Sequence, residues 1–168
     1  ARYRARLILV GRSPLPPRQE WQQWLDSHEP GDDVSGKIKA VMEMERAGAK
    51  VLPVSADISS PGQMAAVVEE AEKQLGPVNG VIHTAAVIDY GGIIQRRSRE
   101  DTEKVFAPKA YGLLVLEQIF GNRDLDFFMI FSSIVAVLTT FGQIGYTSGN
   151  AFLDAFAYSR RRLGRRYT

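Results

Sequence analysis

Apolar positions along the chain gather into short runs separated by longer stretches of helical period. Arg6 to Val10 (RLILV) reads as a buried strand, followed by Gly11-Arg12-Ser13. Lys50 to Ala56 (KVLPVSA), Val78 to Ala86 (VNGVIHTAA) and Leu125 to Ser132 (LDFFMIFS) are the other strand candidates. Pro53, unusual inside a strand, argues for an edge or a bend. Residues 36 to 47 have helical spacing, with Ile38, Val41, Met42 and Glu45 on neighbouring positions and Gly48 as a C-cap. Ser59 or Ser60 caps the next helix, with Pro61 in its first turn and Gly76 past its end. Its core face is Met64, Val67, Val68, Ala71 and Leu75. Arg99 to Phe120 is a long helical stretch that Pro108 should kink, since proline lacks the amide donor. Gln143 to Leu163 is a further helix.

The order is β-α-β-α-β-α-β-α, without hairpin signals. Such alternation predicts an α/β fold with a parallel, doubly wound sheet and right-handed crossovers. The stretch from Pro14 to Ser35 is a long connection, read as an insertion, in which Trp21, Trp24 and Leu25 are spaced like one face of a short helix. The opening ARYRA reads like the end of a helix entering a strand, and RRRLGRRYT stops where another strand would be expected. The expectation is one partial domain over residues 1–168, an excerpt of a longer chain lacking its first strand and last strands.

Composition narrows the chemistry. The 168 residues, 45% hydrophobic, suffice for one core. The 21 basic and 19 acidic side chains leave a net charge of +2, which does not argue for nucleic acid. No cysteine is present, which removes disulfides and thiolate metal sites. Two histidines without paired spacing make a metal centre a poor reading. No apolar run is long enough to span a bilayer and no signal peptide is seen, so a cytoplasmic protein is the default.

The polar groups gather around Phe131 to Asn150 (FSSIVAVLTTFGQIGYTSGN). A buried strand runs into Ser132-Ser133, an irregular segment with Thr139, Thr140 and Gly142 follows, and a helix then carries Tyr146 and Asn150. Open α/β sheets bind ligands at the carboxyl ends of their strands. Tyr146 and Asn150, four apart, share one helix face, and Ser133 can converge on it. Taken singly, each residue has a plain reading: Ser133 as a strand end or cap, Tyr146 as a packed aromatic, Lys109 as a solvated lysine, Asn150 as a cap, and Arg12 as a surface arginine. His83, inside an apolar strand, reads as a satisfied core histidine. The run Arg160, Arg161, Arg162, Arg165 and Arg166 reads as a solvated helix end, where cations suit the macrodipole, ahead of a docking patch for an acidic protein.

Several pieces occur together in one family's order: LILVGRS (7–13), SADISS (55–60), GVIHTAAVID (80–89), FAPKAYG (106–112), FSS (131–133) and GQIGYTSGNAFLDAFA (142–157). In this combination the chain resembles the ketoreductase domain of a modular polyketide synthase, or of a hybrid polyketide/nonribosomal peptide synthase. That domain belongs to the short-chain dehydrogenase/reductase superfamily, with a Rossmann-like fold. The resemblance implies NADPH-dependent reduction of a ketoacyl thioester tethered to an acyl carrier or peptidyl carrier protein, amid neighbouring synthase domains. It makes Tyr146 the proton donor to the substrate carbonyl oxygen and Ser133 a hydrogen-bond donor to that oxygen. Lys109 is then the ammonium beside the phenol and a contact to the nicotinamide ribose. A nearby ammonium favours a phenolate and so makes a phenol a better acid. Asn150 stands where the wider superfamily carries lysine; it would support the site helix and a water chain.

The same likeness implies Gly11, Arg12 and Ser13 at the 2′-phosphate of NADPH, Asp57 and Ile58 at the adenine, and Thr84, Ala85 and Ala86 under the nicotinamide ribose. An arginine after this strand favours NADP, where Asp or Glu would favour NAD. The chain departs from the pattern in three places. The glycine-rich fingerprint would precede Ala1. The small-residue motif ends in Ala86 rather than Gly. The stereochemical marker Leu-Asp-Asp aligns with Ile88-Asp89-Tyr90 and lacks its second carboxylate, while the tryptophan of the opposite class would align with Leu138; the balance leans to the D-hydroxy class. A stand-alone ketone reductase and a catalytically inactive structural domain are the alternatives.

Overall fold

The structure, a computed structural model, describes residues 4–29, 31–88, 92–138 and 141–164. The chain divides into two compact units, Ala1–Asp57 with Ala66–Gly76, and Ile58–Ala65 with Pro77–Thr168.

In the first unit, strand β1 (Arg6–Gly11) lies parallel to β2 (Lys50–Ser55), with Arg6 opposite Lys50 and Gly11 opposite Ser55. Parallel partners need a crossover, and helices α1 (Trp21–Ser27) and α2 (Asp33–Arg46) supply it. Trp21, Ile38, Val41 and Val51 are buried together, with Leu7, Leu9 and Met44 packed against them. Pro53 faces Leu9 in register; among the described residues β2 pairs on one side only, as expected of an edge.

Helix α2 begins three residues earlier than the apolar spacing predicts, because Asp32 caps it. The Asp32 carboxylate accepts from the Ser35 amide at 2.8 Å and from Trp24 Nε1 at 3.0 Å. The long connection is therefore largely helical and stapled to its neighbours. Arg18 pairs with Glu45, and its guanidinium lies 4.8 Å from the Trp21 ring centroid. Gly48 and Gly76 turn the chain after their helices with φ of 97° and 83°, a region that disfavours side chains. The helix before Gly76 is α3 (Pro61–Leu75), in which Met64, Val68 and Ala71 are buried while Val67 and Leu75 are only partly so.

In the second unit, β3 (Gly80–His83) runs parallel to β4 (Phe127–Ile130), with Val81 opposite Phe128 and His83 opposite Ile130. Both strands are shorter than the apolar runs suggested; the ladder stops before Thr84-Ala85-Ala86. Val81, His83 and Phe128 are buried, whereas Ile82 and Met129, each next to one of them, are exposed. Helix α4 (Arg99–Phe106) starts at a reciprocal cap in which the Ser98 side chain accepts from the Asp101 amide and the Asp101 carboxylate accepts from the Ser98 amide. Pro108 does not simply kink the long helix. It sits in a π-helical turn, Ala107–Tyr111, between α4 and α5 (Gly112–Phe120). The Gly112 amide reaches back to the Ala107 carbonyl, five residues away. Helix α6 (Ile144–Arg162) packs against α4 and the π turn, burying Gly145, Gly149, Asn150 and Leu153.

Arg160 corrects the reading of the basic run as wholly solvated. It is buried, paired with Glu117 of α5, and its guanidinium lies 4.8 Å from the Phe128 ring centroid. Arg161 and Arg162 are exposed, and Arg165 and Arg166 lie outside the described residues. Among the described residues no helix is long and apolar enough to cross a membrane.

Candidate active site

Three of the four residues singled out for catalysis meet inside the second unit. Lys109, in the middle of the π turn, is only 2% exposed, and its ammonium donates to Asn150 Oδ1 at 2.9 Å. Asn150, fully buried on α6, donates through Nδ2 to the Tyr146 carbonyl one turn earlier, at 2.8 Å. The half-buried Tyr146 presents its ring 5.0 Å from the Lys109 ammonium, measured to the centroid. The i, i+4 spacing of Tyr146 and Asn150 thus serves a single lysine.

The local sequence explains why the lysine points inward. A π turn carries more residues per revolution than an α-helix, so it re-aims the side chains within it. Gly149 leaves room for the stem: a Cβ there would stand 3.3 Å from Lys109 Cδ. Burial draws the Lys109 amine below the usual lysine pKa.

Ser133 occupies the end of the segment after β4, half-buried. Its hydroxyl accepts from the Val135 amide at 3.4 Å, at the head of the short turn Ile134–Ala136. The neighbouring Ser132 is the hydroxyl that reaches α6, donating to the Asn150 carbonyl at 3.3 Å. Sequence reasoning passed over Ser132, and over Gly149. It also missed that His83 Nε2 lies 3.1 Å from the Lys109 carbonyl. His83 is a core residue as expected, but its Nδ1 has no hydrogen-bond partner among the described residues, so it is not fully satisfied. Burial lowers its pKa.

The residues singled out for the cofactor are distributed over both units. Gly11, Arg12 and Ser13 are exposed at the carboxyl end of β1, where the Arg12 carbonyl accepts from Ser55 Oγ at 2.9 Å. They line a cavity of about 670 Å³, together with Pro14, Trp21 and Met44. Asp57 follows the end of β2, half-buried. Ile58 packs against Gly112, where an added Cβ would come within 2.8 Å of it. Thr84, Ala85 and Ala86 follow β3 directly, Thr84 and Ala86 exposed and Ala85 half-buried. Asp89, Tyr90, Thr139 and Thr140 lie outside the described residues; Leu138 is 67% exposed.

Parallel strand pairs with helical crossovers, and a lysine–asparagine–tyrosine cluster beyond the end of one pair, are thus in place. The family model described as "KR domain" matches residues 1–168, and the chain belongs to this ketoreductase family of polyketide synthases. It is 43% identical over 162 residues to a 6-methylsalicylic acid synthase of Aspergillus terreus, covering 95% of this chain and 9% of that protein. It is 36% identical over 159 residues to a 5-methyl-1-naphthoate synthase of Streptomyces sahachiroi, with the same coverage. Among solved structures, an N-terminal ketoreductase from the macrolactin assembly line superposes with a TM-score of 0.78 at 31% identity, over 97% of this chain and 30% of that one. The fold is accordingly Rossmann-like. The chain spans less than a tenth of the length of the curated relatives it matches.

Proposed function

We propose that residues 1–168 form one partial ketoreductase catalytic domain, with 14–35 as its insertion, that takes part in NADPH-dependent reduction of a carrier-bound ketoacyl thioester. The product would be the hydroxyacyl thioester, formed during polyketide or hybrid peptide–polyketide biosynthesis. One observation carries this reading: a nearly inaccessible lysine ammonium held by Asn150 beside the Tyr146 ring. A buried ammonium is costly unless it is hydrogen-bonded, and this one donates to Asn150 Oδ1 beside the Tyr146 ring. In this reading Tyr146, beside that ammonium, delivers its phenolic proton to the substrate carbonyl oxygen, while the Ser133 hydroxyl donates a hydrogen bond to that oxygen. Asn150 keeps the ammonium in place and ties it to the tyrosine's own helical turn.

At the end of β1 the residues present suit the phosphate of a phosphorylated dinucleotide. Arg12 and Ser13 stand exposed at a strand end beside a cavity, and a guanidinium suits a 2′-phosphate. Gly11 lets that phosphate approach the backbone, Asp57 and Ile58 would flank the adenine, and the small Ala85 and Ala86 with Thr84 would underlie the ribose. When bound, NADPH supplies the hydride, which no side chain can. The substrate would arrive as a phosphopantetheine thioester on a carrier protein of the same assembly.

The test is NADPH oxidation by the full-length parent polypeptide given a short β-ketoacyl thioester, beside Tyr146→Phe. The expected result is turnover that drops about 10²–10⁴-fold in the variant. NADPH binding without turnover would redirect the substrate to an α-ketoacyl thioester. Neither turnover nor binding would refute the reading and leave an inactive structural domain.

A further inference from the structure

We propose that His83 is a positioning residue for Lys109, holding the π turn in the register that aims the ammonium at Asn150 and Tyr146. The inference deepens the reductase reading and rests on it for its catalytic meaning. His83 is 1% exposed at the end of β3, where its own carbonyl accepts from the Phe131 amide at 3.0 Å. Its backbone is therefore locked into the segment that leads from β4 to Ser132 and Ser133. Its side chain leaves the strand and meets the carbonyl of Lys109 at 3.1 Å. A carbonyl only accepts, so Nε2 must carry the proton and donate. The imidazole then bridges the strand pair to the turn that carries the lysine.

The turn needs such a tie. Pro108 has no amide to donate, and the ladder here is drawn at the wider five-residue spacing. A π turn is rare and is kept only where its surroundings hold it. Lys109 is anchored at both ends, its carbonyl by His83 and its ammonium by Asn150, so loss of the first anchor lets the second drift. Nδ1 has no hydrogen-bond partner among the described residues. An imidazole retained in an apolar interior with only one ring nitrogen in use suggests that the used nitrogen matters, because leucine would fill the space without that cost. Burial keeps the ring in its neutral form, the form with a single proton to place.

Glutamine places its amide nitrogen where Nε2 sits, whereas asparagine reaches only as far as Nδ1. The experiment therefore compares His83→Gln, His83→Asn and His83→Leu in the full-length polypeptide, with Tyr146→Phe as a control. One readout is the division between kcat and KM. The other is the rate at which Lys109 is acetylated by acetic anhydride, read by mass spectrometry. The expected pattern is a kcat about tenfold or more lower in the Asn and Leu variants, KM for the thioester within about twofold, and near-normal kcat in the Gln variant. Lys109 acetylation should rise about tenfold in Asn and Leu but not in Gln. The proposal is overturned if Gln is as impaired and as reactive as Leu, since the ring would then only fill space. It is overturned equally if Asn and Leu label like the wild type. Activity retained in Tyr146→Phe would instead sink the reductase reading. The labelling result, which needs no turnover, still decides the role of His83.

Discussion

Replacing Asn150 by leucine removes the oxygen that Lys109 faces while keeping the volume. Both groups are buried, so no solvent replaces the lost partner. A hydrogen bond to a charged group contributes about 1.5–3 kcal/mol, a neutral one about 0.5–1.5 kcal/mol. The loss near neutral pH is therefore set at about 2–3 kcal/mol, or roughly 30- to 150-fold in the local unfolding equilibrium. Its pH dependence is the sharper test. Burial places the folded pKa of Lys109 below its ordinary 10.5. Between the folded pKa and 10.5 the unfolded chain binds more protons than the folded one, so wild-type stability rises with pH across that window. Below the window the cost of burying the ammonium is present in full. Taking away the Asn150 oxygen disfavours the charged form further, pushes the folded pKa lower and extends the window downward. The destabilisation by Asn150→Leu should therefore be greatest near neutral pH and shrink to about 1 kcal/mol once the amine is neutral. Urea unfolding of this region in the full-length polypeptide, read by limited proteolysis at a series of pH values, measures it. A difference that stays constant with pH, or lies below about 0.5 kcal/mol throughout, would refute the claim that Asn150 supports a buried ammonium.

Gly149→Ala should be nearly neutral, because the new methyl meets Lys109 Cδ at 3.3 Å and gains helix propensity, while Gly149→Val should cost about 1–3 kcal/mol and lower turnover; thermal unfolding and kcat separate the two. Arg160→Ala strands Glu117, whose side chain keeps 31% of its surface, and should cost about 2–3 kcal/mol, of which Arg160→Met with Glu117→Leu recovers most in a double-mutant cycle. Asp32, held at about 2 mainly by the Trp24 indole N–H and the Ser35 amide, stabilises the start of α2 fully above its ordinary 3.8, and that support disappears as pH falls from there towards 2. Asp32→Asn should flatten this acid dependence of α2, read by hydrogen exchange across the helix.

The strands and helices were legible because their apolar spacings are unambiguous: β1, β2, α3 and α6 begin and end within two residues of where the pattern puts them. The misplaced boundaries have local causes. Asp32 started α2 early through a carboxylate cap that spacing alone does not register, and β3 stopped at His83 because strand pairing, not hydrophobicity, ends a ladder. Tyr146, Asn150 and Lys109 were legible as a group through the family's motifs, and the geometry brings these three together. The π turn was not, since a proline inside a helical pattern looks the same whether the chain bends or widens. Nor was the burial of Arg160, which depends on Glu117, forty-three residues away, and on the Phe128 ring.

The widened turn at 107–111 has a consequence for how this segment tolerates change in length. Successive residues of an α-helix are rotated by about 100°, and the π turn absorbs an extra residue without breaking the helix. Deleting Pro108 would remove the surplus residue together with the missing amide, and let the chain run as one continuous α-helix from Arg99 to Phe120. It would also swing the two halves by that angle, so that either the lysine or the apolar face of Leu113, Leu116 and Phe120 left the interior. Substitution can be graded here, but length cannot: the segment keeps count of its residues because the site is written in the surplus one.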